Sequence, residues 1–70
     1  MNGNEFLRRL RKYGKSHGLA VELVATRGKG SHGTVYLGGR RTTLKDRRKE
    51  IGHGLLNAML HDLGIAREDF

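Results

Sequence analysis

The fold is decided by a predicted hairpin in the middle of the chain, which reads Thr34-Val35-Tyr36-Leu37-Gly38-Gly39-Arg40-Arg41-Thr42-Thr43-Leu44-Lys45. Both halves contain the β-branched and aromatic residues that strands favour, and a Gly-Gly pair separates them. Glycine suits the positive φ angles that two-residue turns of the primed type require. The segment therefore predicts two antiparallel strands, 34–37 and 40–45, joined by a turn at Gly38-Gly39.

The short turn also predicts which side chains share a face of the sheet, because directly paired residues of antiparallel strands point the same way. We take Leu37 to pair with Arg40. The side chains then expected on the core face are those of Val35, Leu37, Thr42 and Leu44. The side chains expected on the opposite face are those of His32, Thr34, Tyr36, Arg41, Thr43 and Lys45, with His32 opposite Lys45. A shift of one residue would exchange the two faces.

The chain before the hairpin predicts an amphipathic helix followed by a strand. Asn4 is a suitable N-cap for the helix, and Gly14 and Gly18 suit its fraying end and its exit. Apolar residues at helical spacing follow the cap, namely Phe6, Leu7, Leu10 and Tyr13 or Gly14. Alternating apolar residues then predict a strand over 19–26, with one face formed by Leu19, Val21, Leu23 and Ala25.

The chain after the hairpin predicts a second helix over 53–63, which Gly64 ends. Its apolar stripe comprises Leu55, Leu56, Met59, Leu60 and Leu63. Ile65 and Phe70 are expected to pack back on the core. The element order α-β-β-β-α predicts an α+β fold and a single domain over 1–70. Because each helix has one apolar stripe and the sheet one apolar face, both helices are expected on that face.

A glycine-rich loop, Arg27-Gly28-Lys29-Gly30-Ser31-His32-Gly33, joins the first strand to the hairpin. Glycine lets the backbone approach a ligand closely, and successive N–H groups in such turns can bind an anion. Arg27 and Lys29 add positive charge, and histidine exchanges a proton near neutral pH. The loop is therefore predicted to bring an RNA phosphate to His32. The simpler interpretation is that this histidine only hydrogen-bonds the turn.

Charge favours a polyanionic partner, since 14 Lys and Arg stand against seven Asp and Glu, a net charge of +7. The cations concentrate in segments 8–15 and 27–49, whereas the chain from residue 54 onward is slightly acidic. Two interpretations of segment 8–15 stay open, a solvated helix surface and a surface that contacts phosphate. The chain has no cysteine, no close pair of histidine ligands and no apolar run of membrane-spanning length. We predict no metal, no cofactor and no membrane contact, and we expect a cytoplasmic protein.

These elements and residues together resemble the HicA family, the toxins of the HicA–HicB toxin–antitoxin pair. The loop matches the family's Arg-x-x-Gly-Ser-His pattern at Arg27, Gly30, Ser31 and His32. The C-terminal part matches the family at Ile51, Gly54, Leu56, Met59, Leu60, Gly64, Ile65 and Asp69-Phe70. The resemblance implies a fold like the double-stranded-RNA-binding domain and a toxin that cleaves mRNA with His32. It also implies a HicB-like antitoxin as the partner that covers this histidine.

Cleavage of RNA without a metal needs a base for the 2′-hydroxyl, a proton for the leaving 5′-oxygen and positive charge on the phosphate. We hypothesise that His32 supplies the base or the acid. The residues predicted to bind phosphate are Arg27, Lys29, Gly30, Ser31, Arg41 and Lys45. The second acid–base group stays open among His17, His53 and His61. Two other functions also stay open, a non-catalytic RNA-binding module and a protein whose basic face docks an acidic partner.

Overall fold

The computed structural model of the protein describes residues 1–25 and 32–70. The elements follow in the order α1 (Gly3–His17), β1 (Val21–Ala25), β2 (Gly33–Leu37), β3 (Arg40–Leu44), α2 (His53–Leu63) and a 3₁₀ turn (Arg67–Asp69). The three strands form one antiparallel sheet in the order β1-β2-β3. The predicted α+β class and the α-β-β-β-α order are confirmed.

The hairpin has the predicted register. Leu37 pairs with Arg40 and Val35 pairs with Thr42, and the ladder ends where Gly33 pairs with Leu44. Gly38 has a φ of 58°, whereas Gly39 does not have a positive φ. A positive φ at the first central residue alone is typical of a type II′ turn. This turn matches the right-handed twist of the strands that it joins.

The core lies between the two helices and one face of the sheet. Its sheet side is buried as predicted and consists of Val35, Leu37, Thr42 and Leu44. Its helix side includes Phe6, Leu7 and Leu10 of α1 and Leu56, Met59, Leu60 and Leu63 of α2. Both helices therefore pack on the same face. The one buried polar side chain among the described residues, Thr42, donates its hydroxyl to the carboxylate of Asp62 on α2 at 2.9 Å.

The first helix begins two residues earlier than the sequence predicts. Asn2 is the N-cap and accepts a hydrogen bond from the N–H of Glu5 at 2.9 Å. Asn4 lies inside the first turn, where its N–H donates to the carbonyl of Arg47 at 2.9 Å. Both asparagines can cap a helix. Asn2 is the cap here, because the N–H of Asn4, which has no acceptor within the first turn of the helix, is satisfied by the connector after β3.

Gly14 is also placed differently from the prediction, since it is buried inside α1 rather than at a fraying end. A Cβ at Gly14 would lie 2.6 Å from the backbone oxygen of Leu19 and 2.8 Å from a methyl of Val21. The glycine therefore allows α1 to approach β1 closely. Gly18 ends the helix with a φ of 67°, as predicted.

The first strand is shorter than predicted. Val21 and Leu23 are half-buried against the core, whereas Ala25 is exposed. Leu19 is 40% exposed and its N–H donates to the carbonyl of Gly14. Leu19 thus belongs to the exit of α1 and not to the strand face predicted for it. Ala25 alternates with Val21 and Leu23 as predicted, but it is exposed at the end of the strand.

The second helix has the predicted bounds, and Gly64 ends it with a φ of 72°. Leu55 departs from the predicted stripe because it is 43% exposed. The buried residues of α2 repeat at helical spacing, and this spacing leaves Leu55 at the margin of the stripe. Ile65 is buried and the ring of Phe70 packs 5.3 Å from that of Phe6, as predicted. Within the described ranges, no helix has the length and apolar character that crossing a membrane requires.

Candidate nucleic-acid interface

The sheet face opposite the helices, here called the open face, carries two rows of paired residues. Register places Glu22, Tyr36 and Arg41 in one row. It places Val24, Thr34 and Thr43 in the next. Tyr36 and Thr34 are half-buried and the other four are exposed. The face thus offers an aromatic ring, hydroxyl groups and a guanidinium to a ligand.

His32 lies at one end of the open face. It directly precedes β2, and its side chain is exposed rather than packed beneath the helices. Lys45 directly follows β3 and is also exposed. The ladder ends at the pair Gly33 and Leu44, so the predicted pairing of His32 with Lys45 lies one step beyond the last pair. The hairpin therefore brings these two residues to the same end of the sheet.

Arg41 lies on the open face but farther along the hairpin. It pairs with Tyr36 of β2, which follows His32 by four residues along the chain. At a rise of roughly 3.3 Å per residue, the distance along the strand is about 13 Å. If both residues bind a polynucleotide as predicted, Arg41 and His32 would contact different phosphates. The other predicted phosphate-binding residues, Arg27, Lys29, Gly30 and Ser31, lie outside the described residues.

The connector after β3 brings further cations to the His32 end. Arg47, Arg48 and Lys49 are all exposed. The connector is tied to α1, because Asn4 donates to the Arg47 carbonyl and Ile51 donates to the Met1 carbonyl. Asp46 accepts a hydrogen bond from the N–H of Arg48 at 2.9 Å. Positive charge thus continues from Lys45 toward the N-terminus of α1.

Two surface clefts combine residues that the sequence does not bring together. One, of about 390 Å³, lies at the β3 side of the sheet and is lined by Thr34, Arg41, Thr42, Thr43 and Asp62. It is lined both by Arg41, which is predicted to bind phosphate, and by the acidic residue Asp62. The other, of about 320 Å³, lies between α1 and the C-terminal residues. Nothing in the sequence alone pairs residues 9–17 with residues 69–70.

The remaining histidines lie on the helices. His17 is near the end of α1, and His53 and His61 are exposed on α2. The Nδ1 atom of His53 is 3.2 Å from a guanidinium nitrogen of Arg67. Since arginine only donates, this nitrogen of His53 accepts. In residues 1–25 and 32–70, no three or more His, Asp or Glu residues form a group that could hold a metal ion.

Fold and site together define a small basic α+β protein with an exposed sheet face and a histidine at one end of it. Comparisons of the chain with family models, with curated proteins and with solved structures found no match. The resemblance to the HicA family is therefore carried by the residues quoted from the sequence.

Proposed function

We propose that the protein is a metal-independent endoribonuclease of the HicA kind, a toxin that inhibits translation by cleaving mRNA. The observation that carries the proposal is the position of His32, exposed at the end of the open face on the side of Lys45. A polynucleotide lying on this face reaches the imidazole without any rearrangement of the core. The Gly-Ser-His loop and the spaced residues of α2 support the same family.

The proposed reaction is an in-line transesterification within the RNA. The 2′-oxygen forms a bond to the adjacent phosphorus while the bond from phosphorus to the 5′-oxygen breaks. A base removes the proton of the 2′-hydroxyl, and an acid gives a proton to the leaving 5′-oxygen. His32 performs one of these two transfers, which for a positioned side chain contributes roughly 10²–10⁴-fold to a rate.

The cations around His32 are proposed to stabilise the negative charge that builds up on the phosphate in the transition state. Lys45 is the cation at the same end of the hairpin as His32. Arg41 is proposed to bind an RNA phosphate farther along the open face. Arg27, Lys29, Gly30 and Ser31 complete the proposed phosphate site from the loop. The reaction uses the 2′-hydroxyl as nucleophile, so a DNA strand of the same sequence should not be cut.

The test is cleavage of an end-labelled RNA in the presence of a metal chelator. His32→Ala should lower the cleavage rate by roughly 10²–10⁴-fold. His61→Ala should cut at the parental rate, because α2 covers the opposite face of the sheet and keeps His61 from serving as the second acid–base group. Because both side chains are exposed, both variants should melt within a few degrees of the parent. Parental cleavage by His32→Ala would refute the catalytic assignment. Growth arrest on expression, compared between parent and variants, gives the same answer in the cell.

A HicB-like antitoxin that covers His32 is the proposed protein partner, and the cytoplasm is the proposed location. The second candidate function is a non-catalytic RNA-binding module. The observation that favours it is the net charge of +7 together with an exposed basic helix, which passive binding explains without any histidine. Salt-sensitive RNA binding without cleavage by the parent would support this second function.

A further inference from the structure

The cleft between α1 and the C-terminal residues has the composition of a nucleotide site. Its lining residues are Arg9, Lys12, Tyr13, Ser16, His17, Asp69 and Phe70. The five that belong to α1 follow the i, i+3, i+4, i+7 and i+8 spacing of a single helix face. Two cations, three aromatic rings, a serine hydroxyl and one carboxylate therefore line one space of about 320 Å³. This volume is at the lower end of the range for small-molecule sites, about 300–1,000 Å³.

Two of the three rings in the cleft, those of Tyr13 and His17, form a stack. The centroids of Tyr13 and His17 lie 3.9 Å apart with an interplanar angle of 15°. The Nδ1 atom of His17 lies 2.9 Å from the carbonyl oxygen of Tyr13. A carbonyl only accepts, so Nδ1 donates, and Nε2 is the acceptor of the neutral ring. Because the rings are held in place, binding a base against them costs little additional side-chain entropy.

The opposite wall of the cleft is anchored to the core. The ring of Phe70 packs against the fully buried Phe6, with centroids 5.3 Å apart. The neighbouring N–H of Asp69 donates to the carbonyl of Ala66 at 3.0 Å. The Asp69 carboxylate repels a phosphate, but it can accept hydrogen bonds from the amino group of a base or from a ribose 2′-hydroxyl.

We propose that this cleft binds one nucleotide of a single-stranded RNA, with the base against the Tyr13–His17 stack and the phosphate on Arg9 and Lys12. Stacking on an aromatic platform beside backbone-neutralising cations is how proteins hold single strands with little sequence preference. The assignment of RNA as the ligand rests on the proposed function, whereas the site itself is separate from His32.

The separation follows from the two ends of β2. Gly14 of α1 packs against Leu19, Val21 and Leu37, at the end of β2 away from His32. His32 precedes Gly33, and β2 is five residues long. A strand of that length spans about 16 Å. An RNA strand of several nucleotides can therefore reach both places, and the cleft would hold it while His32 acts on a distant phosphate.

The sharpest test compares two double variants of the same helix. Arg9→Gln with Lys12→Gln removes two cations that line the cleft, and Arg8→Gln with Arg11→Gln removes two that do not. Each double variant removes one ion-pair partner of Glu5, because Arg9 and Arg8 lie 3.6 and 4.0 Å from its carboxylate. Both lower the net charge equally, so long-range attraction of RNA falls by the same amount in each.

Binding is measured by fluorescence anisotropy in a His32→Ala background, so that the RNA stays intact. The probe is a labelled oligouridylate of roughly ten nucleotides, within the site sizes of about 4–16 known for single-strand binders. We expect the cleft variant to bind about tenfold more weakly than the control variant. Its slope of log K against log salt should fall by about 1.4, which is two contacts at ~0.7 each.

Stacking is tested with the protein's own tyrosines, because the chain has two Tyr and no Trp. In a Tyr36→Phe background the remaining fluorescence reports Tyr13 alone. We expect RNA to change this fluorescence in the Tyr36→Phe protein. His17→Gln removes one ring of the stack, and it should weaken binding several-fold.

The outcomes separate this inference from the catalytic proposal. Equal affinities of the two double variants, or a Tyr13 fluorescence that RNA leaves unchanged, would overturn the cleft as an RNA site. Neither result bears on the catalytic proposal, because cleavage is measured separately by comparing the parent with His32→Ala. Conversely, cleavage by His32→Ala together with a selective loss of binding in the cleft variant would refute only the catalytic assignment. Circular dichroism melts confirm that all variants are folded.

Discussion

The two ends of the sheet carry different kinds of chemistry. At one end His32 and Lys45 flank the open side of the hairpin, each next to the terminus of a strand. At the other end α1 presents a stacked ring pair and two cations in a cleft closed by Phe70. We propose proton transfer at the first end, which carries an exposed histidine and lysine, and base stacking at the second, which carries the ring pair.

The histidines of the two ends show what this difference means. His17 is held by the carbonyl of Tyr13 and by its stack on the ring of that residue. The hydrogen bond from one ring nitrogen to the backbone fixes the orientation of the His17 ring, which suits a residue that binds a ligand by stacking. His32 is exposed at the end of the open face. We thus propose that RNA is cleaved at one end of β2 and bound at the other.

The largest expected effect is a split in the kinetics of RNA cleavage between the two ends. His32→Ala should lower kcat by roughly 10²–10⁴-fold, because a positioned acid or base is lost. The double variant Arg9→Gln with Lys12→Gln should raise KM by about tenfold and leave kcat near the parental value, since it removes binding far from the reacting bond. Initial rates over a range of RNA concentrations measure both constants.

The matching control is Arg8→Gln with Arg11→Gln, which should change KM much less. A cleft variant that loses kcat as severely as His32→Ala would contradict the division of labour, because it would place both ends in the chemical step.

The second expected effect concerns the close approach of α1 to β1 that positions the cleft. Gly14→Ala should destabilise the protein by about 1–3 kcal/mol, because the new methyl overlaps a backbone oxygen that cannot move cheaply. Gly54→Ala is the matched control in α2, where a Cβ meets nothing within 4 Å. That change should stabilise by about 0.5 kcal/mol through helix propensity. Urea unfolding measures both, and equal signs would contradict the packing argument.

The third effect tests the middle of the sheet, between the two ends. Thr42→Val should cost about 1.5 kcal/mol, because it removes the buried hydroxyl that donates to the charged Asp62. Thr43→Val, one residue along on the exposed face, should stay within about 0.5 kcal/mol of the parent. Chemical denaturation compares the two. If both variants lose the same free energy of unfolding, the hydrogen bond between Thr42 of β3 and Asp62 of α2 does not stabilise the fold.

The hairpin end of the molecule could be predicted from the sequence because its determinants are local. Gly38-Gly39 sets the register, and the register then assigns every side chain of β2 and β3 to a face. The bounds of α2 follow in the same way from its apolar spacing and from Gly64. The exposed position of His32 is a consequence of this local order.

The cleft end could not be predicted because it is assembled from distant parts of the chain. In the sequence Arg9 and Lys12 are typical of a solvated helix surface. They line a cleft only because Phe70 packs on Phe6 and forms its other wall. Gly14 likewise suits a fraying helix end until β1 lies against it. Both features depend on contacts between segments, which periodicity within one segment does not contain.

The smallest expected effect tests the helix start that the sequence misplaces. Asn2→Ala should destabilise by about 1 kcal/mol, because the N–H of Glu5 loses its side-chain acceptor. Asn4→Ala should be neutral or stabilising by up to about 0.5 kcal/mol, since Asn4 lies within the helix and alanine has the higher helix propensity. Unfolding free energies from urea titration decide between the two sites. If Asn4→Ala is the costlier change, the helix begins at the later asparagine, and the connector cations lie differently against α1 at the His32 end.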